Sequence, residues 1–245
     1  MTTDPAVNAP YVSTGQLPAA EHVRLLVAEA YERSRANPDG DVSHVYPSLA
    51  AVDPDGFGIC VSNTRGLTAM AGDAEVEFTI MSVAKPFVFA LMCGVHTPNT
   101  VAEFVGLNAT GRRFNSVAAI EDRPDGRTNP MVNPGAIATT SMAPGSDTEE
   151  KWRFIQHGLS RFAGRELQID EEVFASASAT NSINRAIGDL LRSYGRLATD
   201  SEETVDLYTR QSCLRVTARD LAVMAATLAA GGVNPLTGAQ VARSW

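Results

Sequence analysis

The sequence predicts an α+β protein in which two or three early strands precede a long helical block. Three observations carry this. Residues 57 to 71 hold two short apolar runs on either side of a turn-forming segment. From residue 83 onward apolar side chains recur at helical spacing, and glycines and prolines break the pattern into helix-length pieces.

Taken in order, residues 1–18 are polar and proline-bearing and read as a disordered or loosely attached tail. One compact domain over 19–245 is expected to follow. Val23, Leu26, Val27, Ala30 and Tyr31 mark a helix that ends near Asn37-Pro38-Asp39-Gly40. Phe57 to Val61 and Leu67 to Ala71 flank Ser62-Asn63-Thr64-Arg65-Gly66 and predict a hairpin. A short strand at Val76 to Ile80 then delivers the chain to Ser82. Helices are expected at about 83–95, 99–107, 134–143, 147–164, 170–176, 181–194, 202–212 and 217–231. Ser146 with Glu149 has the spacing of a full capping box, and Thr217 with Asp220 marks another helix start. A lone hairpin is marginal in water, so the helical block must cover it.

Composition removes several function classes. The net charge is −8 with a pI near 5.0, and no basic stripe with interleaved aromatics is present, so nucleic acid is not an expected partner. The longest apolar run, about ten residues, is too short to cross a bilayer. Cys60, Cys93 and Cys213 are odd in number and far apart, which fits reduced thiols in a cytoplasmic protein. His22, His44, His96 and His157 show no metal-ligand spacing with cysteines or acids, and no cofactor is implied.

The residue that stands out is Lys85, one of two lysines against eighteen arginines. Arginine stays charged at any workable pH, whereas a desolvated lysine can act as a neutral base. Ser82 lies three residues earlier, on the same face if the segment is helical. Val83, Phe87, Ala90, Leu91 and Gly94 trace an apolar stripe that would deny the amine water. Ser82 and Lys85 therefore form a candidate activated nucleophile.

Several further segments lie in register with this pair. They are Tyr46-Pro47-Ser48-Leu49-Ala50, Gly72-Asp73, Gly111 to Ser116, Asn129 to Ile137, Asn184-Arg185-Ala186-Ile187-Gly188, Asp206-Leu207-Tyr208 and Val223 to Ala229. Over about residues 38 to 240 the chain resembles the serine-dependent glutaminases, which share the fold of β-lactamases and penicillin-binding proteins. The resemblance implies hydrolysis of L-glutamine to L-glutamate and ammonia through an acyl-serine, with Ser82 as nucleophile and Lys85 as its base. It also implies that Asn133, Asn184 and Tyr208 contact substrate, and that the protein self-associates as a dimer or tetramer. From residue type alone, Asn133 before Pro134 also fits a turn, Asn184 a local backbone partner, and Tyr208 a core aromatic with a wet hydroxyl.

Four departures from the family pattern stand in the sequence. Ala177 replaces a glutamate that would meet the substrate's ammonium, and Val45 replaces a tyrosine, with Tyr46 one place later. Met81 replaces a glutamine before the nucleophile. The last family segments, including the strand with the second oxyanion donor, are expected to be missing from this chain. Reduced turnover is therefore one expectation, and a non-catalytic binding or assembly module is its alternative. A penicillin-reactive acyl-serine enzyme could use Ser182-Ile183-Asn184, but that reading lacks a Lys-Thr-Gly strand and leaves Asn129 to Ile137 unexplained.

Overall fold

The computed structural model describes residues 18–243, so the loose tail expected at residues 1–18 lies outside it except for Pro18. Helix α1 (Ala20–Ser34) packs on an antiparallel hairpin formed by β1 (Gly58–Ser62) and β2 (Thr68–Gly72), with Cys60 opposite Met70. The contact is aromatic: Tyr31 stacks on Phe57 with ring centroids 5.6 Å apart. Gly72 makes it possible. Its φ of +65° suits glycine, and any Cβ there would strike the Tyr31 ring.

The third strand, β3 (Phe78–Thr79), does not extend the hairpin. It pairs with β4 (Arg215–Val216), antiparallel, with Phe78 opposite Val216. The single small sheet expected from the sequence is thus two separate two-stranded ladders. A two-residue strand is too short to show alternation, which is why β4 was not foreseen.

The helical block contains α2 (Ala84–His96), α3 (Pro98–Val105), the short α4 (Ala118–Glu121), α5 (Asn133–Ser141) and α6 (Thr148–Ala163). It continues with α7 (Glu171–Thr180), α8 (Ser182–Ser193), α9 (Ser201–Ser212) and α10 (Ala218–Ala229). Every expected helix is present; the largest error in extent is α7, which continues to Thr180 rather than stopping at 176. The capping box needs correction. The cap of α6 is Asp147, which accepts from the Glu150 N–H at 2.8 Å, while Ser146 bonds the Glu150 carboxylate. The reciprocal box is at Thr217 and Asp220 instead.

Helix α5 lies at the centre, all nine of its residues buried, in contact with α2, α3, α8 and α9. Its small residues permit this close approach; a Cβ on Gly135 would strike the Asn129 carbonyl. Three hydroxyls in this buried helix find acceptors on its own carbonyls: Thr139 to Gly135, Thr140 to Ala136 and Ser141 to Ala138. Around it Phe87, Leu91, Met92, Ile155, Leu159, Phe162, Ile187 and Leu207 close the core. The buried face of α2 is Ala84, Phe87, Val88, Leu91, Met92 and Cys93; Val83 is exposed, so the predicted stripe is rotated by about one residue. Because residues 86–95 are apolar nearly throughout, their period cannot fix a phase.

Asp220 anchors α10. Its carboxylate accepts from the Thr217 N–H at 2.8 Å and from Arg165 at 2.7 to 3.1 Å, and it is buried. Asp220→Ala removes the carboxylate half of the capping box, keeps the Thr217 cap, and leaves Arg165 with Glu77 as its remaining carboxylate partner. The expected loss is about 2–3 kcal/mol, measurable by urea unfolding.

Candidate active site

Strand β3 ends at Thr79, and Ile80 is pinned by its N–H to the Leu214 carbonyl at 2.9 Å. The chain then makes a 3₁₀ turn, Met81–Val83, that runs directly into α2. Met81 sits at φ +49°, a left-handed conformation that a long side chain rarely adopts. Such strain next to a candidate nucleophile is held in place by the flanking contacts, here Ile80 with Leu214 and the packing of α9 against the turn. Ser82, at the middle of the turn, is exposed.

Lys85 occupies the first turn of α2 and is only 5% exposed. Its Nζ donates to Asn133 Oδ1 at 2.8 Å and to the Met131 carbonyl at 3.4 Å, and the Phe114 ring lies 5.6 Å from it. Burial pushes its pKa from an ordinary 10.5 down to about 8. Among the described residues no hydrogen bond joins Ser82 Oγ to Lys85 Nζ; the amine points to Asn133.

The remaining candidates converge on that asparagine. Asn133 begins α5, and Asn133 Nδ2 donates to Asn184 Oδ1 at 2.9 Å. Tyr208, on α9, donates its hydroxyl to Asn133 Oδ1 at 3.1 Å. Asn184, in the first turn of α8, donates to Asn181 Oδ1, whose own Nδ2 reaches Thr209 Oγ1 at 2.7 Å. Burial, then the nearby Tyr46 phenol, push the Tyr208 pKa far up, so it remains a hydroxyl donor at any workable pH. Tyr208 thus combines core packing with a buried hydrogen bond, and Asn133 bonds three side chains as well as opening α5.

Ser82, Asn133, Asn184 and Tyr208 line one cavity of about 900 Å³, together with Tyr46 and Phe114. Lys85 lies behind this lining and communicates with it through Asn133. Asn181 and Thr209 were not singled out from the sequence, and Phe114 only as a member of the segment Gly111 to Ser116. Asn181 stands at the break between α7 and α8, a helix junction that gave a signal of position but none of role. A second concavity, about 790 Å³, lies over α6. Its Arg165 and Arg161 are already engaged by Asp220 and the Gln240 carbonyl.

Val45 is exposed at the cavity rim and Tyr46 half-buried within it, so a hydroxyl enters from the neighbouring position. Ala177 is fully buried in an apolar cluster with Leu49, Val173 and Cys213, against which Tyr46 and Met81 pack.

Comparison with known proteins agrees with this architecture. The Glutaminase family model matches residues 40–244. Glutaminase 2 of Yersinia pestis is 57% identical over 239 residues, covering 97% of this chain and 70% of its own length. Glutaminase of Mycobacterium ulcerans (strain Agy99) is 44% identical, covering 89% of this chain and 68% of its own. Among solved structures, the probable glutaminase ybaS superposes with a TM-score of 0.90 at 36% identity, over 93% of this chain and 74% of that one. Mglu in its tris and glutamate form gives 0.84 at 35% identity, over 94% of this chain and 50% of that one. The β-lactamase-like fold expected from the sequence is thus the one these structures share. With its motifs in register and its profile matched over nearly the whole described chain, this protein belongs to the glutaminase family.

Proposed function

We propose that the protein hydrolyses the side-chain amide of glutamine to glutamate and ammonia through an acyl-serine at Ser82. The observation that carries this reading is a lysine amine, buried and bonded only to neutral oxygens, one helical turn beyond an exposed serine. Relatives named glutaminase, and a solved relative described in a glutamate form, support the same substrate.

In this reading Ser82 Oγ attacks the amide carbon as its proton passes to neutral Lys85. The tetrahedral oxyanion is met by backbone N–H groups at the head of the Met81–His96 helical segment, whose dipole favours negative charge there. Lys85 returns the proton to nitrogen as the C–N bond breaks and ammonia leaves. Water, deprotonated by the same amine, then cleaves the ester to release glutamate. Asn133 and Asn184 hold the amino-acid end of the substrate, and Tyr208 keeps Asn133 Oδ1 fixed between itself and Lys85. The free enzyme holds Lys85 on Asn133; substrate binding must release that contact for the amine to reach Ser82.

The test compares ammonia release by the purified chain with that of Ser82→Ala. A fluorescent penicillin that labels Ser82 while glutamine remains intact would favour the penicillin-reactive alternative. The same reading takes the protein to be cytoplasmic and self-associating as a dimer or tetramer, which light scattering at working concentration measures directly.

A further inference from the structure

We propose that Thr209 and Asn181 are positioning residues for Lys85. From the far end of a buried amide chain they keep an acceptor, and not a donor, turned toward the catalytic amine. This deepens the acyl-serine reading above and rests on it.

The chain runs in one direction. Lys85 Nζ donates to Asn133 Oδ1 at 2.8 Å, and Asn133 Nδ2 donates to Asn184 Oδ1 at 2.9 Å. Asn184 Nδ2 donates to Asn181 Oδ1 at 2.6 Å, and Asn181 Nδ2 to Thr209 Oγ1 at 2.7 Å. Thr209 gives its own hydroxyl proton to the Val205 carbonyl, 2.7 Å away, so toward Asn181 its oxygen only accepts. Thr209 and the three asparagines are each 4–7% exposed, so an amide turned the wrong way finds no bulk water to satisfy it. Reversing one link therefore reverses them all or leaves a buried group unpaired.

Which end sets the direction depends on the proton. A charged lysine has no lone pair and dictates an acceptor opposite itself. The neutral amine, the form that takes the Ser82 proton, both donates and accepts. So does the Tyr208 hydroxyl on the same Oδ1. In that state the reactive end tolerates either orientation of Asn133, and Thr209 alone distinguishes them. An Nδ2 turned toward the amine would occupy its lone pair, the same pair that must receive the proton from Ser82. With Oδ1 presented, the lone pair stays free.

Thr209→Val keeps the shape and removes the hydroxyl. Asn181 and Thr209 also line a separate concavity of about 330 Å³. Water that enters from it to replace the hydroxyl donates as well as accepts, and so restores no direction.

The chain holds two lysines, Lys85 and Lys151, so lysine-labelled NMR follows the Lys85 amine through its titration without any need for turnover. Burial is the cause of its value near 8, and its immediate neighbours, Asn133, the Met131 carbonyl and the Phe114 ring, are uncharged. The Tyr208 phenol stays protonated throughout. In Thr209→Val the amine should titrate about one pH unit lower, because a donor facing it disfavours the charged form. On the plateau above that limb, kcat should fall about tenfold. Thr209→Ser, smaller but still a hydroxyl, should restore both. A packing role for Thr209 gives the reverse order, with valine tolerated and serine impaired.

If Thr209→Val does not fold by circular dichroism, Asn181→Ala breaks the chain one link nearer and carries the same expectations. A Lys85 titration that is unmoved, or raised toward 10.5, in the folded variant overturns the inference. Turnover by the wild type then leaves the acyl-serine reading intact. No ammonia and no Ser82 adduct from the wild type removes that reading, and with it the role given to Thr209 and Asn181.

Discussion

Ser82→Ala is expected to lower ammonia release from glutamine by about 10³-fold or more, with the fold unchanged. A primary amide is a poor electrophile, and without a nucleophile the site retains only its oxyanion donors and its hold on the substrate. Because the Ser82 side chain is exposed, thermal unfolding of the variant should coincide with that of the wild type. Intact-mass measurement after rapid acid quench should show a glutamyl adduct on the wild-type chain and none on the variant. Equal rates for the two proteins remove Ser82 as nucleophile. Absence of turnover in both, with glutamine binding retained, moves the protein to the non-catalytic alternative.

Of Met81, Val45 and Ala177, two place apolar groups in the cluster beside α7 and the third faces solvent. Met81 packs into the cluster of Leu49, Val173, Ala177 and Cys213 instead of presenting an amide beside the nucleophile. Val45 turns outward, and Tyr46 supplies the half-buried hydroxyl. Desolvation, then the nearby Cys213, push the Tyr46 phenol up, so it too stays protonated. Lys85, Asn133, Asn184 and Tyr208, by contrast, form one connected polar network on the opposite side.

Local signals in the sequence were sufficient for most elements. The hairpin followed from its turn, and the helices followed from spacing and breakers. Errors arose where two local readings compete. Ser146-Asp147-Thr148-Glu149-Glu150 contains two overlapping capping frames; the one using Asp147 wins because it places a carboxylate, not a hydroxyl, on the orphan N–H groups. Helix α7 outran its expected end because Ala175 to Thr180 carries no breaker, and small residues there pack against α9 and the Pro47–Ala51 turn. The burial of Lys85 could be read from its apolar flanks. Its partner could not: Asn133 is 48 residues away, and the contact exists only once α5 has been driven to the centre of the core. The same holds for Asn181 and Thr209, whose bond closes the far end of the network across 28 residues.

Lys85→Met is expected to cost about 10²–10⁴ in kcat while making the protein more stable at neutral pH. The two effects have one origin. Folding takes the amine from water, where its pKa is 10.5, into a site where it is about 8. Below pH 8 both folded and unfolded chains carry the proton, and the buried charge lowers stability by a constant amount. Between about 8 and 10.5 the folded chain has released it and the unfolded chain has not, so wild-type stability rises with pH. Above that window the penalty is gone. The thermal advantage of Lys85→Met should therefore be full below pH 8 and shrink through 8 to 10.5. Activity should follow the same proton: kcat/KM rises with pH along a limb centred near 8 and levels off above it, because only the neutral amine can accept from Ser82. Lys85→Arg, always protonated, should lose that limb altogether. An activity limb centred near the ordinary lysine value would mean that the amine is solvated when it matters. Burial would then be a property of the resting enzyme and not of the catalyst.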